Sequence, residues 1–276
     1  MKKTIYIFFQ TFKLFFSFKP ISFLKKFSWF FKYLYLFKRQ KSNNNFKLSY
    51  LYPCLFDNTS SHQIEPTYFF QDSWAAGHIF KDKPEKHFDV GSNAMTIGVL
   101  SQFTPVTMID IRPIDLKLPN LSFIKGSILN LPFEDNTITS FSSLCVIEHI
   151  GLGRYGDEID SYGSEKSIEE LKRVLKSKGV VLFTVPVDNE NKVFFNAHRA
   201  FTRDYIIQLF DGFKLEDEKY HYGREMYETY IPAKGFGTGF FKFRKHRLPV
   251  NIEKSEECDL YVFGSDQIWN PYIILY

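Results

Sequence analysis

Three parts of the chain gather side chains able to do chemistry. Asp89-Val90-Gly91-Ser92 closes one short apolar run, and Asp110-Ile111 closes another some twenty residues later. An acid-and-glycine turn after one strand and a carboxylate after the next suit an adenosine ligand. The glycine lets backbone N–H groups approach, and the carboxylate accepts from both ribose hydroxyls. The third part begins at Glu148-His149 and includes Arg154, Tyr155 and Asp157, with Asn196, His198 and Arg199 downstream. Imidazole titrates near neutrality, so His149 and His198, with Glu148 beside them, are candidates for moving a proton. Arg154 and Arg199 can clamp a phosphate or carboxylate, and Tyr155, Asp157 and Asn196 complete an acceptor-binding set. The structural alternative is an internal ion-pair network of Arg154, Asp157 and Asp160 that holds the loop, with His149 at a helix end. A metal site built from Glu148, His149, Asp157 and His198 has no fixed ligand spacing behind it, and none is expected.

The patterns around these groups predict the elements that position them. HFDV at 87–90, VTMIDI at 106–111, LSFIK at 121–125 and TSFSSLCV at 139–146 predict strands,. Asn93 is an N-cap for a helix over 94–102, and Ser167-Ile168-Glu169-Glu170 is a capping box opening a helix that Gly179 ends in the left-handed conformation,. VVLFTV at 180–185 has the β-branched, all-apolar character of a central parallel strand,. Thr202 caps a further helix, and 213–222 forms a strand after it,. This alternation predicts an open, mostly parallel, Rossmann-like α/β sheet with ligands at the carboxyl ends of its strands. Gly151-Leu152-Gly153-Arg154-Tyr155-Gly156 spells a dinucleotide fingerprint but lacks the preceding strand and following helix start, so its glycines are expected to shape a loop,.

The series resembles class I methyltransferases that use S-adenosylmethionine. On that resemblance Asp89 matches the acid of the first motif, with Gly91 and Ser92 in its turn. Asp110 matches the ribose carboxylate, with Ile111 beside it, and Ser127-Ile128 the loop flanking the adenine. The first motif here has one glycine where that family usually has two or three, and Ser127 stands where an Asp is common. A second, sharper resemblance covers roughly residues 68–222. Phe70-Gln71-Asp72-Ser73-Trp74, the run EHIGLGRYGDEID and Phe195-Asn196-Ala197-His198-Arg199 are similar to an uncharacterised methyltransferase-like family, a domain of unknown function often associated with surface-polysaccharide loci. It implies the fold, S-adenosylmethionine as cofactor and a saccharide or other small acceptor. A non-catalytic binding module on the same fold is the alternative.

Charge is divided along the chain. The first 56 residues carry eleven Lys or Arg and no acid, and the remainder carries a net −7 within an overall +4. An acidic bulk argues against a nucleic-acid partner. Residues 1–41 hold fifteen aromatic and ten basic side chains, with lysines breaking every apolar run before it reaches membrane-spanning length,. From Pro20 onward Lys25, Lys32 and Arg39 recur every seven residues opposite Phe23, Phe27, Phe30, Phe31, Leu34 and Phe37, which predicts an amphipathic helix,. Such a helix fits an anionic membrane surface or packs on protein, and the expected location is cytoplasmic, peripheral at the inner face. Three separated cysteines without CxxC exclude a disulfide framework,.

The tail changes character again. CDLYVFGSDQIWNP at 258–271 resembles the opening strand and loop of polysaccharide pyruvyl transferases, implying a truncated fusion, with local mimicry as the alternative,. The expected organisation is thus an arm at 1–41, a linker at 42–66, a methyltransferase-like domain at 67–230, a linker at 231–256 and a fragment at 257–276.

Overall fold

The computed structural model describes residues 20–40, 46, 48–112 and 114–246. The chain divides into two compact units, 1–64 and 65–276. In the first, helix α1 (Pro20–Arg39) opens on the proline and closes on Lys38 and Arg39, an arrangement that suits the helix dipole,. Phe23, Phe27 and Phe31 follow one another along it with ring centroids 4.9 and 6.2 Å apart. Tyr33, Tyr35 and Phe37 are more than half exposed. Trp29, Phe30, Tyr33, Leu34 and Phe37 face a hollow of about 270 Å³ that Leu48, Tyr50, Leu51 and Tyr52 complete. Among the described residues no helix is long and apolar enough to cross a membrane. The first half of the predicted arm, the opening residues 42–45 of the predicted linker and the 257–276 fragment lie outside the described residues.

The second unit is the expected α/β sheet. Its elements are α2 (Pro66–Asp82), β1 (His87–Val90), α3 (Ala94–Leu100), β2 (Val106–Asp110), β3 (Leu121–Lys125), β4 (Ile138–Leu144), α4 (Gly163–Val174), β5 (Leu175–Val187), β6 (Lys192–Phe194), β7 (His198–Ala200), α5 (Arg203–Leu209), β8 (Phe213–Tyr222), β9 (Glu225–Tyr227) and β10 (Gly237–Lys245). The main sheet runs β3-β2-β1-β4-β5-β10-β8-β9, and β6 and β7 form a separate hairpin. Its first five strands are parallel and its last three antiparallel. Strand order reverses between β1 and β4, and that switch point is where a doubly wound sheet opens a crevice. Alternate residues of β5 supply opposite faces: Val181, Phe183 and Val185 join α4 and α5 in one cluster, whereas Val180 and Leu182 join α2 and α3 in the other,. Both faces are therefore covered, as a parallel sheet requires.

Three local readings differ from the structure. The 231–256 stretch holds β10, which pairs with both β5 and β8 and extends the domain past residue 230. Lys242 interrupts the apolar pattern of this strand, yet it is buried and ion-paired to Asp82, so a strand interior resembles a linker in the sequence. Helix α4 begins at Gly163, a turn before the capping box, and the Ser167 hydroxyl donates back to the Gly163 carbonyl. Lys178, not Gly179, takes the left-handed conformation (φ 64°). Gly179 is needed for space, because a Cβ there would lie 2.7 Å from the Lys176 carbonyl oxygen and 3.0 Å from that of Ile138.

Candidate functional site

The carboxyl ends of β1, β2, β4 and β5 open into a cleft of about 560 Å³, closed on one side by the start of α2. A smaller hollow of about 110 Å³ continues from it between Gly91, Ile111, Ser127, Ile128 and Val146. Most residues singled out from the sequence meet here. Gly91, Ser92, Asp110, Glu148, His149, Arg154, Tyr155 and His198 line the cleft; Ile111, Ser127, Ile128 and Asp157 line the hollow.

Asp89 does not face the cleft. It is wholly buried, accepts from the Ser92 amide at 3.1 Å and from the Ser92 and Ser142 hydroxyls at 2.6 and 2.5 Å, and so pins the turn to β4. Burial pushes its carboxyl up to about 6, against the pull of those donors,. Behind it, burial holds His87 neutral, down to about 3. Ser142 gives its proton to Asp89, so His87 Nε2–H donates to the Ser142 oxygen and Ser140 donates to His87 Nδ1,. The glycine turn offers less than expected: the Gly91 amide donates to the Ile109 carbonyl and the Ser92 amide to Asp89, so neither N–H is free for a ligand.

Asp110 ends β2 at the cleft, almost buried, and accepts from the Arg112 backbone amide at 2.8 Å and its guanidinium at 3.3 and 3.4 Å. Beside it the hollow has apolar walls from Val90, Ile111, Ile128, Leu129 and Ile150. A carboxylate acceptor next to a small apolar slot is the pairing a nucleoside needs, ribose hydroxyls on the first and base in the second, so these residues fit S-adenosylmethionine at that end. Ser127 is partly engaged, its hydroxyl oxygen accepting from the Leu129 amide at 3.2 Å.

Opposite lies the loop after β4. Its Gly151–Gly156 run wraps a carboxylate of its own: Asp157 accepts from the amides of Gly151, Gly153 and Tyr155 at 2.6, 3.4 and 3.1 Å. Burial pushes the Asp157 carboxyl up, and the three amides together outweigh it and hold it below its ordinary value. Gly151 has φ 79°, and a Cβ there would meet the Asp160 carbonyl oxygen at 2.1 Å. Arg199 is no acceptor clamp. It is buried behind this loop and donates to the carbonyls of Ile150, Asp160 and Ser161 and to the Ser164 hydroxyl. Asn196 does not reach the cleft either; at φ 61° it forms the turn of the β6–β7 hairpin.

His149 Nδ1 lies 2.6 Å from the Ala197 carbonyl, which can only accept, so Nδ1 carries the hydrogen and Nε2 the lone pair,. Burial lowers its value to about 4, with Arg154 adding to the shift, which makes it a hydrogen-bond acceptor and a weak base. His198 is lowered by burial and then by Arg154. Glu148, 1% exposed and with Oε2 unpartnered, is pushed up to about 8 by burial and is protonated at neutral pH. Beside it Cys145, at φ 53° at the end of β4, has its thiol raised by burial and then by Glu148. Among the described residues no cluster of His, Cys, Asp or Glu could hold a metal.

Several lining residues had no signal in the sequence. Glu65, Thr67 and Tyr68 come from the start of α2, one turn before the motif at 70–74. Gln71 and Asp72 of that motif point instead into the fold, accepting from the Thr184 and Thr96 hydroxyls. Arg112 follows directly on the strand predicted at 106–111, and Phe236 lies in the stretch 231–256 expected to be a linker.

Residues 132–228, which include both the EHIGLGRYGDEID and FNAHR motifs, match the family described as Caenorhabditis protein of unknown function, DUF268. No curated protein matches the chain. Among solved structures the cyclase SpnF is similar with TM-score 0.52 and 14% identity, over 69% of this chain and 85% of that one. The Burkholderia thailandensis 1,6-didemethyltoxoflavin-N1-methyltransferase, solved with S-adenosylhomocysteine, has TM-score 0.49 and 12% identity, over 68% and 94%. The N-methyltransferase NodS of Bradyrhizobium japonicum, solved with S-adenosylhomocysteine, has TM-score 0.47 and 11% identity, over 70% and 91%. The fold is an open, mostly parallel α/β sheet, and the likeness to SpnF is one of fold.

Proposed function

We propose that this protein binds S-adenosylmethionine in the cleft and transfers its methyl group to a saccharide or other small acceptor. The observation that carries the reading is the Asp110 carboxylate beside an apolar hollow, with His149, His198 and Arg154 lining the same cleft. Bound there, the cofactor supplies an electrophilic methyl group for in-line displacement. Asp110 would hold the ribose and Ile111, Ser127 and Ile128 the adenine. His149 Nε2, fixed by the Ala197 carbonyl, accepts a hydrogen bond from the attacking atom and holds it in line,. Protonated Glu148, 3.7 Å from that nitrogen, completes the wall with an uncharged carboxyl. The saccharide acceptor rests on the resemblance of the 148–160 and 195–199 motifs to a family often associated with surface-polysaccharide loci.

Titration calorimetry of the full chain with S-adenosylmethionine tests this. Micromolar binding is expected, with Asp110→Ala weakening it at least tenfold, about 1.4 kcal/mol. The absence of heat, or equal affinity in the variant, overturns it in favour of a non-catalytic module. That second reading has its own support in the Gly91 and Ser92 amides, already spent within the protein.

The reading extends to place. The basic aromatic head binds an anionic lipid surface, its rings entering the headgroup region and Lys25, Lys32 and Arg39 meeting the lipid charge,. Cosedimentation with phosphatidylglycerol vesicles but not phosphatidylcholine vesicles is expected, and binding to neither, or equally to both, contradicts it.

A further inference from the structure

We propose that the acceptor is an anion, a carboxylate or phosphate whose oxygens sit on Arg154. The word acceptor rests on the methyltransferase reading; the anion site stands on its own geometry. Four other arginines of this unit are committed to acceptors within the protein. Arg173 donates to Glu170, Asp135 and two carbonyls; Arg199 has four acceptors; Arg203 and Arg244 grip Glu218 and Glu216 with two nitrogens each. Arg154 is different. Only Nη1 is engaged, donating to the Ala197 carbonyl at 3.0 Å and lying against the His149 ring, and among the described residues no carboxylate lies within ion-pair distance of it.

The groups around it leave its charge uncompensated. Glu148 is protonated, and His149 and His198 are held neutral at physiological pH. Asp157 is ionised but occupied by three amides, and Arg112 is committed to Asp110. A planar fork with free donors at the mouth of a cleft recognises a carboxylate or phosphate bidentately. Arg154 is also pre-aimed, because its guanidinium lies over the Tyr155 ring at 5.2 Å, which limits the rotamer entropy lost on binding,. Next to it His198, Phe236 and Phe194 form a wall of three partly exposed rings, with centroids 4.9 to 6.0 Å apart, against which a ring carrying the anion can lie.

The test is titration calorimetry of the full chain with glucuronate, glucose 1-phosphate and glucose, with and without S-adenosylhomocysteine. At least one anion is expected to bind ten times more tightly than glucose, and the stronger of the two tells carboxylate from phosphate. Arg154→Gln should abolish that preference, Arg154→Lys should retain part of it, and Arg224→Gln, in the β8–β9 turn, should leave it unchanged. Thermal unfolding establishes that each variant is folded. Glucose binding as tightly as both anions, neither anion binding, or full preference in Arg154→Gln would overturn the proposal. Anion binding without any S-adenosylhomocysteine binding would instead sink the methyltransferase reading and leave the anion site standing.

Discussion

Two glycine-containing turns border the cleft, and each is built on a carboxylate, yet the two acids differ in nearly every physical respect. Asp89 is sealed beneath the first turn with one backbone amide and two hydroxyls as donors, and burial raises it to about 6. Asp157 lies in the second with three backbone amides and solvent nearby, and it stays below its ordinary value. Donor number and access to water, rather than the glycines, decide how each acid behaves. In both turns the amides that might hold a ligand's phosphate are consumed within the protein, by its own acid or, at Gly91, by the Ile109 carbonyl. A glycine motif binds phosphate only where its amides are left free, and the letter-for-letter fingerprint at 151–156 fails on that ground.

The largest expected effect follows from Asp89. Asp89→Ala leaves one amide and two hydroxyls without an acceptor in a sealed site and should cost on the order of 3–5 kcal/mol in urea unfolding. A loss below about 1 kcal/mol would show that the two turns do not differ as described. Glu148 sharpens the comparison, since it shares the burial of Asp89 but has only its own amide and the Cys145 thiol as donors and Oε2 has none. Its folded value of about 8 lies above its unfolded value near 4.5, so the stability tied to its proton is complete below 4.5 and is lost as pH rises through 8,. The melting midpoint should therefore fall by several degrees between pH 5 and 8, and Glu148→Gln should flatten that slope. Parallel profiles in the two proteins would refute the assignment. The smallest effect belongs to Asp157→Asn, which keeps one acceptor oxygen. About 1 kcal/mol of global stability should be lost, with faster amide exchange at Gly151, Gly153 and Tyr155. Unchanged exchange at those three amides would mean that the carboxylate does not organise the loop.

Much of the scaffold was legible in the chain. His87–Val90, Leu121–Lys125 and Phe213–Tyr222 form strands at the predicted bounds, and Asn93 and Thr202 cap the helices expected of them, because side-chain caps and short apolar runs are local signals. β10 was not legible. Its Lys242 is tolerated in the interior because Asp82, 160 residues away, and Glu216 come to meet it. Arg199 was misread for the same reason: a guanidinium's partners can be backbone carbonyls, which leave no trace in residue type.

The sequence by itself determined the strand-and-helix alternation, the acid at each strand end and the division of charge between head and body, since each depends on residue type and short-range spacing. Tertiary structure alone decided which acids face the cleft. Asp89 and Asp110 both lie near strand ends, but Asp89 pairs with Met108, one step inside the sheet, where Ser142 of β4 closes over it, while Asp110 at the tip of β2 opens onto the hollow. It also decided how each arginine is used. Arg154 and Arg199 are indistinguishable as residues, and only packing shows that Arg199 is filled by carbonyls whereas Arg154 engages Nη1 alone at the mouth of the cleft, because hydrogen-bond satisfaction is a property of neighbours brought together by the fold.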